Sequence, residues 1–164
     1  MKKIKLLKQK KLFRKLGLSV YSFGNIKKVY RFLKFDAIQI PLNIFDNRGD
    51  KFKNFFVKKD IEVHARSIFL QGCIFLNKND NIFNNYFKKT KLSEFLDFSK
   101  KNKLNKYNLA ISHILNKEYV NKIIVGVHNY SQLNQILNFK HYKKIYFLKK
   151  FNSTNLKFID PRRW

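Results

Sequence analysis

Four short segments with β-strand character recur along this chain, and a stretch of helical character follows each of them. An alternation of strands and helices predicts a parallel sheet, and such sheets bind ligands at the carboxyl ends of their strands. Because the alternation occurs four times, the chain holds half the number of units in an eight-stranded βα barrel. The segments are residues 16–21, 36–43, 61–67 and 122–127, and the residues near their carboxyl ends are Ser19, Tyr21, Gln39, Asn43, Arg66, Ser67 and Gly126.

The connecting stretches differ in their predicted structure. Residues 77–91 are polar and rich in asparagine, so we predict a long loop there, and loops of this length are often functional. Residues 68–76 are apolar and predict either a wall of the core or a short helix. In the other stretches apolar residues recur at helical spacing. We predict helices at 26–33, 51–58, 92–104, 107–116 and 131–137, and a looser helical stripe within 1–15.

The charge of the chain is strongly positive, with 36 Lys and Arg against 10 Asp and Glu and a net charge of +26. A basic surface attracts nucleic acids and anionic membranes without specifying a fold. The lysines are scattered through every segment, whereas base readout favours arginines grouped on one element. We therefore interpret the charge as a compositional bias of the kind that an AT-rich coding sequence produces. A basic protein that binds nucleic acid is the alternative hypothesis, and the charge is compatible with non-specific binding.

Residue counts argue against several kinds of site. The single cysteine, Cys73, excludes an internal disulfide and a zinc cluster, and its apolar surroundings favour a buried structural thiol. The histidines are not paired at metal-ligand spacing, and we recognise neither a metal site nor a catalytic set. No apolar run approaches the ~20 residues of a membrane span, and lysines interrupt any signal-peptide core. We therefore expect a cytoplasmic protein of one domain, residues 1–164, that does not act at a membrane.

Two polar side chains of the second segment, Gln39 and Asn43, admit two interpretations. Their amides can bind a planar amide or an aromatic ring of a ligand, or they can satisfy backbone groups at the rim of the sheet. Propensity does not decide between these interpretations. Arg66 likewise either fixes strand ends through hydrogen bonds or contacts an anionic ligand.

Several phrases of the sequence together resemble the aldo/keto reductase family. Residues 17–21, GLSVY, look like the fifth strand of that family's barrel. Residues 38–43, IQIPLN, with the DNR that follows at 46–48, look like the sixth strand. Residues 63–72, VHARSIFLQG, are similar to the seventh strand and its extension.

The resemblance continues to the end of the chain. IVGV at 124–127 and SQL at 131–133 resemble the eighth strand and the final helix, and IDPRRW at 159–164 fits the C-terminus of many bacterial members. The order and the spacing agree over nearly the whole chain. The resemblance therefore implies an α/β fold, with this chain covering strands five to eight, about the C-terminal half of a (β/α)8 TIM barrel.

The family reduces aldehydes and ketones with NADPH or NADH, so the resemblance implies a small carbonyl substrate and a nicotinamide cofactor. It implies that Ser19 and Tyr21 lie near the nicotinamide, with Tyr21 stacked on its ring. It also implies that Gln39 hydrogen-bonds to the carboxamide. The residues implied to flank the pyrophosphate are Arg66, Ser67, Phe69 and Leu70.

The loop after strand eight is implied to face the adenosine phosphate. It runs from Gly126 to Gln135. Typical members carry Lys or Arg and a Glu-Asn pair there, whereas this chain has Gln132, Gln135 and Ile136. The resemblance therefore leaves both NADP and NAD as candidate cofactors.

The family's catalytic Asp, Tyr, Lys and His come from its first four strands. Met1 corresponds to a point in the helix after strand four, so no residue of this chain is assigned a catalytic role. We expect the chain to be inactive alone and to pair with an N-terminal half or with a copy of itself. An opened barrel would expose two edges and an apolar inner face. A half-barrel that binds cofactor without catalysis is a further alternative.

Overall fold

A four-stranded parallel sheet organises the fold. The structure, a computed structural model, describes residues 2–164. The strands lie in sequence order, each pairing with the next in parallel. This arrangement confirms the predicted parallel α/β sheet, although each strand is shorter than its segment. The strands are β1 (Gly17–Ser19), β2 (Ala37–Pro41), β3 (Glu62–Arg66) and β4 (Lys122–Ile123).

Seven α-helices accompany the sheet in the described residues. Four of them begin at an asparagine or threonine whose side chain accepts a hydrogen bond from a backbone N–H of the first turn. Such caps satisfy donors that have no partner within the helix. The helices are α1 (Lys2–Gln9), α2 (Ile26–Phe32), α3 (Lys53–Lys58), α4 (Lys91–Lys101), α5 (Lys106–Leu115), α6 (Tyr130–Leu137) and α7 (Leu156–Ile159).

One face of the sheet is apolar and buried. Leu18, Ile38 and Val63 lie side by side in register, and Ile40 pairs with Ala65 in the next apolar row. The four residues of this set on β2 and β3 are 0% exposed and belong to a core cluster that includes residues of α2, α3 and α5. Alternate residues of a strand point to opposite faces of the sheet. These apolar residues therefore all face the side that the helices cover.

The opposite, inner face of the sheet is polar. Ser19, Gln39 and His64 lie in one row across three strands, and Lys122 of β4 pairs with His64. Ser19 is exposed, and Gln39 and His64 are half-buried. The prediction that the inner face of the sheet is apolar is therefore wrong. The physical reason is the two-residue period of each strand, which sends the apolar side chains to the helix-covered face and leaves the polar ones at the open face.

Glu62 ties the amino-terminal part of this inner face together. Its carboxylate pairs with Lys15, which precedes β1, with Lys122 on β4 at 2.6 Å, and with His64 at 2.8 Å. The hydrogen bond from Lys122, followed by that from Lys15, holds the pKa of Glu62 well below its usual range. The carboxylate thus stays charged and links the flanks of the sheet at the end away from the strand carboxyl termini.

The predicted polar loop at 77–91 contributes to a second core. It contains a π-helical turn, Phe83–Phe87, and both terminal phenylalanines are buried. Phe87 packs edge-on against Phe158 and Trp164 of the C-terminal segment. The loop prediction is therefore wrong in this part, because two phenylalanines four residues apart share one side of a turn and outweigh the surrounding asparagines.

Cys73 has the buried position that its apolar surroundings predict. It lies in the same core, and burial raises the pKa of its thiol to about 11. A thiol with this pKa is a poor nucleophile near neutral pH. Among residues 2–164, no helix is both long enough and apolar enough to cross a membrane.

Candidate functional site

A cleft of about 460 Å³ opens beyond the carboxyl ends of β3 and β4. One wall is the segment that follows β3, and the other is the segment that joins β4 to α6. Such a position is where parallel βα sheets bind their ligands. The cleft brings together four residues that the sequence indicated, namely Ser67, Phe69, Gly126 and Gln132.

The wall that follows β3 has an unusual backbone. Ser67, Leu70 and Gln71 have φ angles of 56°, 47° and 55°, and Gly72 has a φ of 85°. Left-handed conformations are uncommon for residues other than glycine and persist only where the surroundings enforce them. Here Asn43 contributes to that enforcement, because its Nδ2 donates to the Ser67 carbonyl at 3.1 Å.

The structure gives different roles to the amides of Asn43 and Gln39, for each of which the sequence allowed two interpretations. Asn43 is buried, and its Oδ1 accepts hydrogen bonds from the backbone N–H groups of Phe45 and Asp46, each at 2.9 Å. Asn43 therefore satisfies backbone groups at the rim. Gln39 is half-buried on the inner face, and within residues 2–164 its amide makes no hydrogen bond to protein. Its donors and acceptor are available to a ligand.

Ser19 and Gln39 line a second recess, of about 350 Å³, on the inner face of the sheet. The two residues are paired in register on neighbouring strands. Glu62 and His64 line the same recess and add ionisable side chains to it. Ser19 and Gln39 thus lie side by side on the inner face, and their role toward a nicotinamide stays a prediction.

Two arginines pack against the ring of Tyr21 at the carboxyl end of the sheet. The guanidinium carbon of Arg66 is 3.9 Å from the centre of the Tyr21 ring, and that of Arg162 is 4.1 Å from it. Arg66 also donates to the Val20 carbonyl at 3.2 Å and to the Ser67 hydroxyl at 3.3 Å. Arg66 thus fixes a strand end, one of its two predicted roles, while other N–H groups of its guanidinium stay available.

An aromatic group closes one side of the 460 Å³ cleft. Phe75 and Tyr107 stack with their centres 4.2 Å apart, and Phe69 lies 5.4 Å from each of them. Sequence reasoning identified Phe69 but missed Phe75 and Tyr107. No local signal marks Tyr107, because it reaches the cleft from α5 through the tertiary fold.

The remaining indicated residues have different surroundings. The Leu70 side chain is fully buried in the core, so only its backbone can face a ligand. Gln135 is exposed on α6 and lies outside the lining of the cleft. Gln132 accepts a hydrogen bond from the His128 N–H at 2.9 Å, which orders the approach to α6. A Cβ at Gly126 would meet nothing within 4 Å, so this glycine leaves the cleft open.

Within residues 2–164, no three His, Cys, Asp or Glu side chains are grouped to hold a metal ion. The sequence-indicated polar side chains of the site are amides, hydroxyls and a guanidinium. Such groups bind ligands through hydrogen bonds and through the charge of arginine.

Comparison with known proteins identifies the family. The family described as Aldo/keto reductase family matches residues 1–152, and the chain belongs to this family. None of the curated proteins searched matches the sequence.

Solved structures show the same fold. The aldo-keto reductase AKR11C1 from Bacillus halodurans matches in its holo form with a TM-score of 0.71 and 16% identity, covering 98% of this chain and 57% of that chain. Its apo form matches with a TM-score of 0.68 and 15% identity, over 90% and 52% of the two chains. The glycerol dehydrogenase AKR11B4 from Gluconobacter oxydans matches with a TM-score of 0.66 and 20% identity, over 90% and 50%.

The chain spans about half the length of these structures. The four strands described above therefore correspond to half of a (β/α)8 barrel. The family and the fold make this an aldo/keto reductase half-barrel whose strand carboxyl ends carry the candidate site.

Proposed function

We propose that this chain forms the cofactor side of an oxidoreductase that reduces an aldehyde or ketone with NADPH or NADH. Membership of the aldo/keto reductase family supports the reaction class. The observation that carries the proposal is the amide of Gln39, which lies beside Ser19 on the polar inner face and makes no hydrogen bond to the described protein. A primary amide in this position complements the carboxamide of a nicotinamide ring.

The residues of the site fit a dinucleotide. Ser19 is the last residue of β1, Gln39 pairs with it from the middle of β2, and Tyr21 lies two residues beyond β1. These three residues would hold the nicotinamide. The cleft of about 460 Å³ has the size of a small-molecule site and would receive the phosphates and the adenosine. Its wall of Phe75 and Tyr107 offers aromatic surface to an adenine. A bound reduced nicotinamide supplies the hydride, and this chain's residues orient it.

Reduction of a carbonyl also needs a proton donor. We assign none in this chain and propose that it comes from the strands that precede β1 in the relatives, whether they belong to the same polypeptide or to another. The two edges of the sheet support the proposal that further strands pair with it, since β1 and β4 each pair on one side only within the described residues. Exposed apolar residues occur in the elements that precede β1 and follow β4 in the chain, among them Leu6 and Leu7 on α1 and Ile124, Val127 and Leu137 near β4 and on α6.

Substitution of Gln39 tests the cofactor role. We expect Gln39→Ala to weaken NADPH binding about fivefold, because a hydrogen bond to the carboxamide contributes about 1 kcal/mol. The measurement is calorimetric titration of NADPH and NADH at ~0.3 M salt, at which attraction to the diffuse positive charge is screened. Gln9→Ala, at an exposed position of α1, is the matched control and should bind as the unsubstituted chain does. Equal affinities in the two variants would contradict the proposal.

The purified 164-residue chain is expected to show no carbonyl reduction on its own. The physical reason is that hydride transfer produces an alkoxide, which needs an acid in the site to protonate it. Absorbance of NADPH followed in the presence of a panel of aldehydes and ketones measures this. Turnover proportional to the concentration of the chain would show that a donor lies within these residues and would refute the assignment.

A further inference from the structure

Arg66, at the end of β3, and Arg162, near the C-terminus, meet at the ring of Tyr21, and Arg48 lies in the segment after β2. Arg48 makes a two-pronged ion pair with buried Asp46, at 2.8 and 2.7 Å. Arg162 does the same with buried Asp160, at 2.9 and 2.6 Å. The third, Arg66, has only uncharged oxygens as hydrogen-bond partners among the described residues.

Arg66 is thus a half-buried cation with no carboxylate of its own. Partial burial removes water from a guanidinium, and this cost is offset best by an anion. The Tyr21 ring 3.9 Å away covers the flat side of the group. Stacking on an aromatic face leaves the N–H edge of an arginine free to bind a carboxylate through two parallel hydrogen bonds.

Arg162 adds a second positive group at the same place. Its guanidinium carbon lies 4.1 Å from the centre of the same tyrosine ring. Asp160 uses two corners of that guanidinium and leaves the third free of bonds to the described residues. Two guanidinium groups thus approach the same ring, and a small anion beside Tyr21 would be attracted to both.

We propose that Arg66, supported by Arg162, binds the carboxylate of a small carbonyl compound. The substrate class would be an aldehyde or ketone that carries a carboxylate, such as a 2-oxo acid. This inference rests on the proposed function, because Tyr21 marks the place of the nicotinamide and a carboxylate held there would set the carbonyl beside it. Arg66 does not line the 460 Å³ cleft proposed for the cofactor phosphates, which favours a substrate group over a phosphate.

Anion titration of the ¹⁵N-labelled chain tests the inference without cofactor or turnover. Oxalate, pyruvate and inorganic pyrophosphate are added separately at ~0.15 M salt, and the arginine Nε–Hε signals are followed. We expect saturable shifts of the Arg66 and Arg162 signals with oxalate and pyruvate. Arg66→Gln should weaken oxalate binding at least tenfold. Arg31→Gln, which removes the same charge from an exposed position of α2, should leave it unchanged.

Arg66→Lys separates a loss of anion binding from a folding defect, since it keeps the positive charge and most of the packing of the side chain. It should retain the thermal midpoint and still lose most of the oxalate affinity, because an ammonium cannot form the two-pronged contact. Shifts with pyrophosphate alone would assign Arg66 to the cofactor and overturn the inference. Equal losses of oxalate affinity in Arg66→Gln and Arg31→Gln would overturn it as well, because they would show that oxalate is attracted to a diffuse basic surface. If the unsubstituted chain binds oxalate through Arg66 but does not bind NADPH, only the proposed function is refuted.

Discussion

Asn43→Ala is expected to lower the free energy of unfolding by about 3 kcal/mol, a large fraction of the stability of a domain this size. The substitution removes three hydrogen bonds made by a buried side chain. The Asp46 N–H and the Ser67 carbonyl each keep a backbone partner. The Phe45 N–H has no other partner in the described residues and would be left unsatisfied in the core, which dominates the cost.

Urea unfolding followed by circular dichroism measures this change. Asn102→Ala is the matched control, because Asn102 is exposed and its amide donates to the Phe98 carbonyl at 2.8 Å. The control should cost no more than about 0.5 kcal/mol. If both variants unfold at the same urea concentration, Asn43 does not hold the rim of the sheet in the manner described. Because Asn43 also restrains Ser67, the variant should bind NADPH more weakly than its residual stability alone explains.

Acidification from pH 7 to pH 5 is expected to remove about 2 kcal/mol of stability through His113. Burial, with Lys117 nearby, lowers the pKa of His113 from 6.5 to about 3. Since the folded state binds the proton less readily than the unfolded state, protonation favours unfolding as pH falls below 6.5. The contribution is fully present above pH 6.5 and is lost progressively down to about pH 3.

Two variants separate this histidine from the other titrating groups. His113→Gln keeps a donor for the side-chain Oδ1 of Asn47, which the ring Nε2 now contacts at 2.8 Å, and should flatten the dependence of stability on pH between 7 and 5. His141→Gln should leave it unchanged, because His141 is exposed and contacts Asn116. The carboxylates of Asp36 and Asp160 have lowered pKa values and stay charged in this window. A pH dependence that survives in His113→Gln would show that another group is responsible.

Much of the architecture follows from local pattern. In β2 the apolar Ile38 and Ile40 flank Gln39, and this alternation determines which face is buried and which side chain faces the inner recess. The order of short family-like phrases likewise determined the family, because each phrase keeps its place between one strand and the next. Residues 77–91 show where pattern fails, since an asparagine-rich composition concealed the two phenylalanines that reach the core.

The sequence by itself determined the alternating strands and helices, the family and the strand ends at which a ligand would bind. It did so because strand period and turn residues act over a few positions. Only the tertiary structure decided between Asn43 and Gln39, since the choice depends on whether a buried N–H lies within reach of each amide. Only the tertiary structure brought Arg162 to Tyr21 and Tyr107 to the cleft, because contacts between residues so far apart depend on how the helices and the C-terminal segment pack.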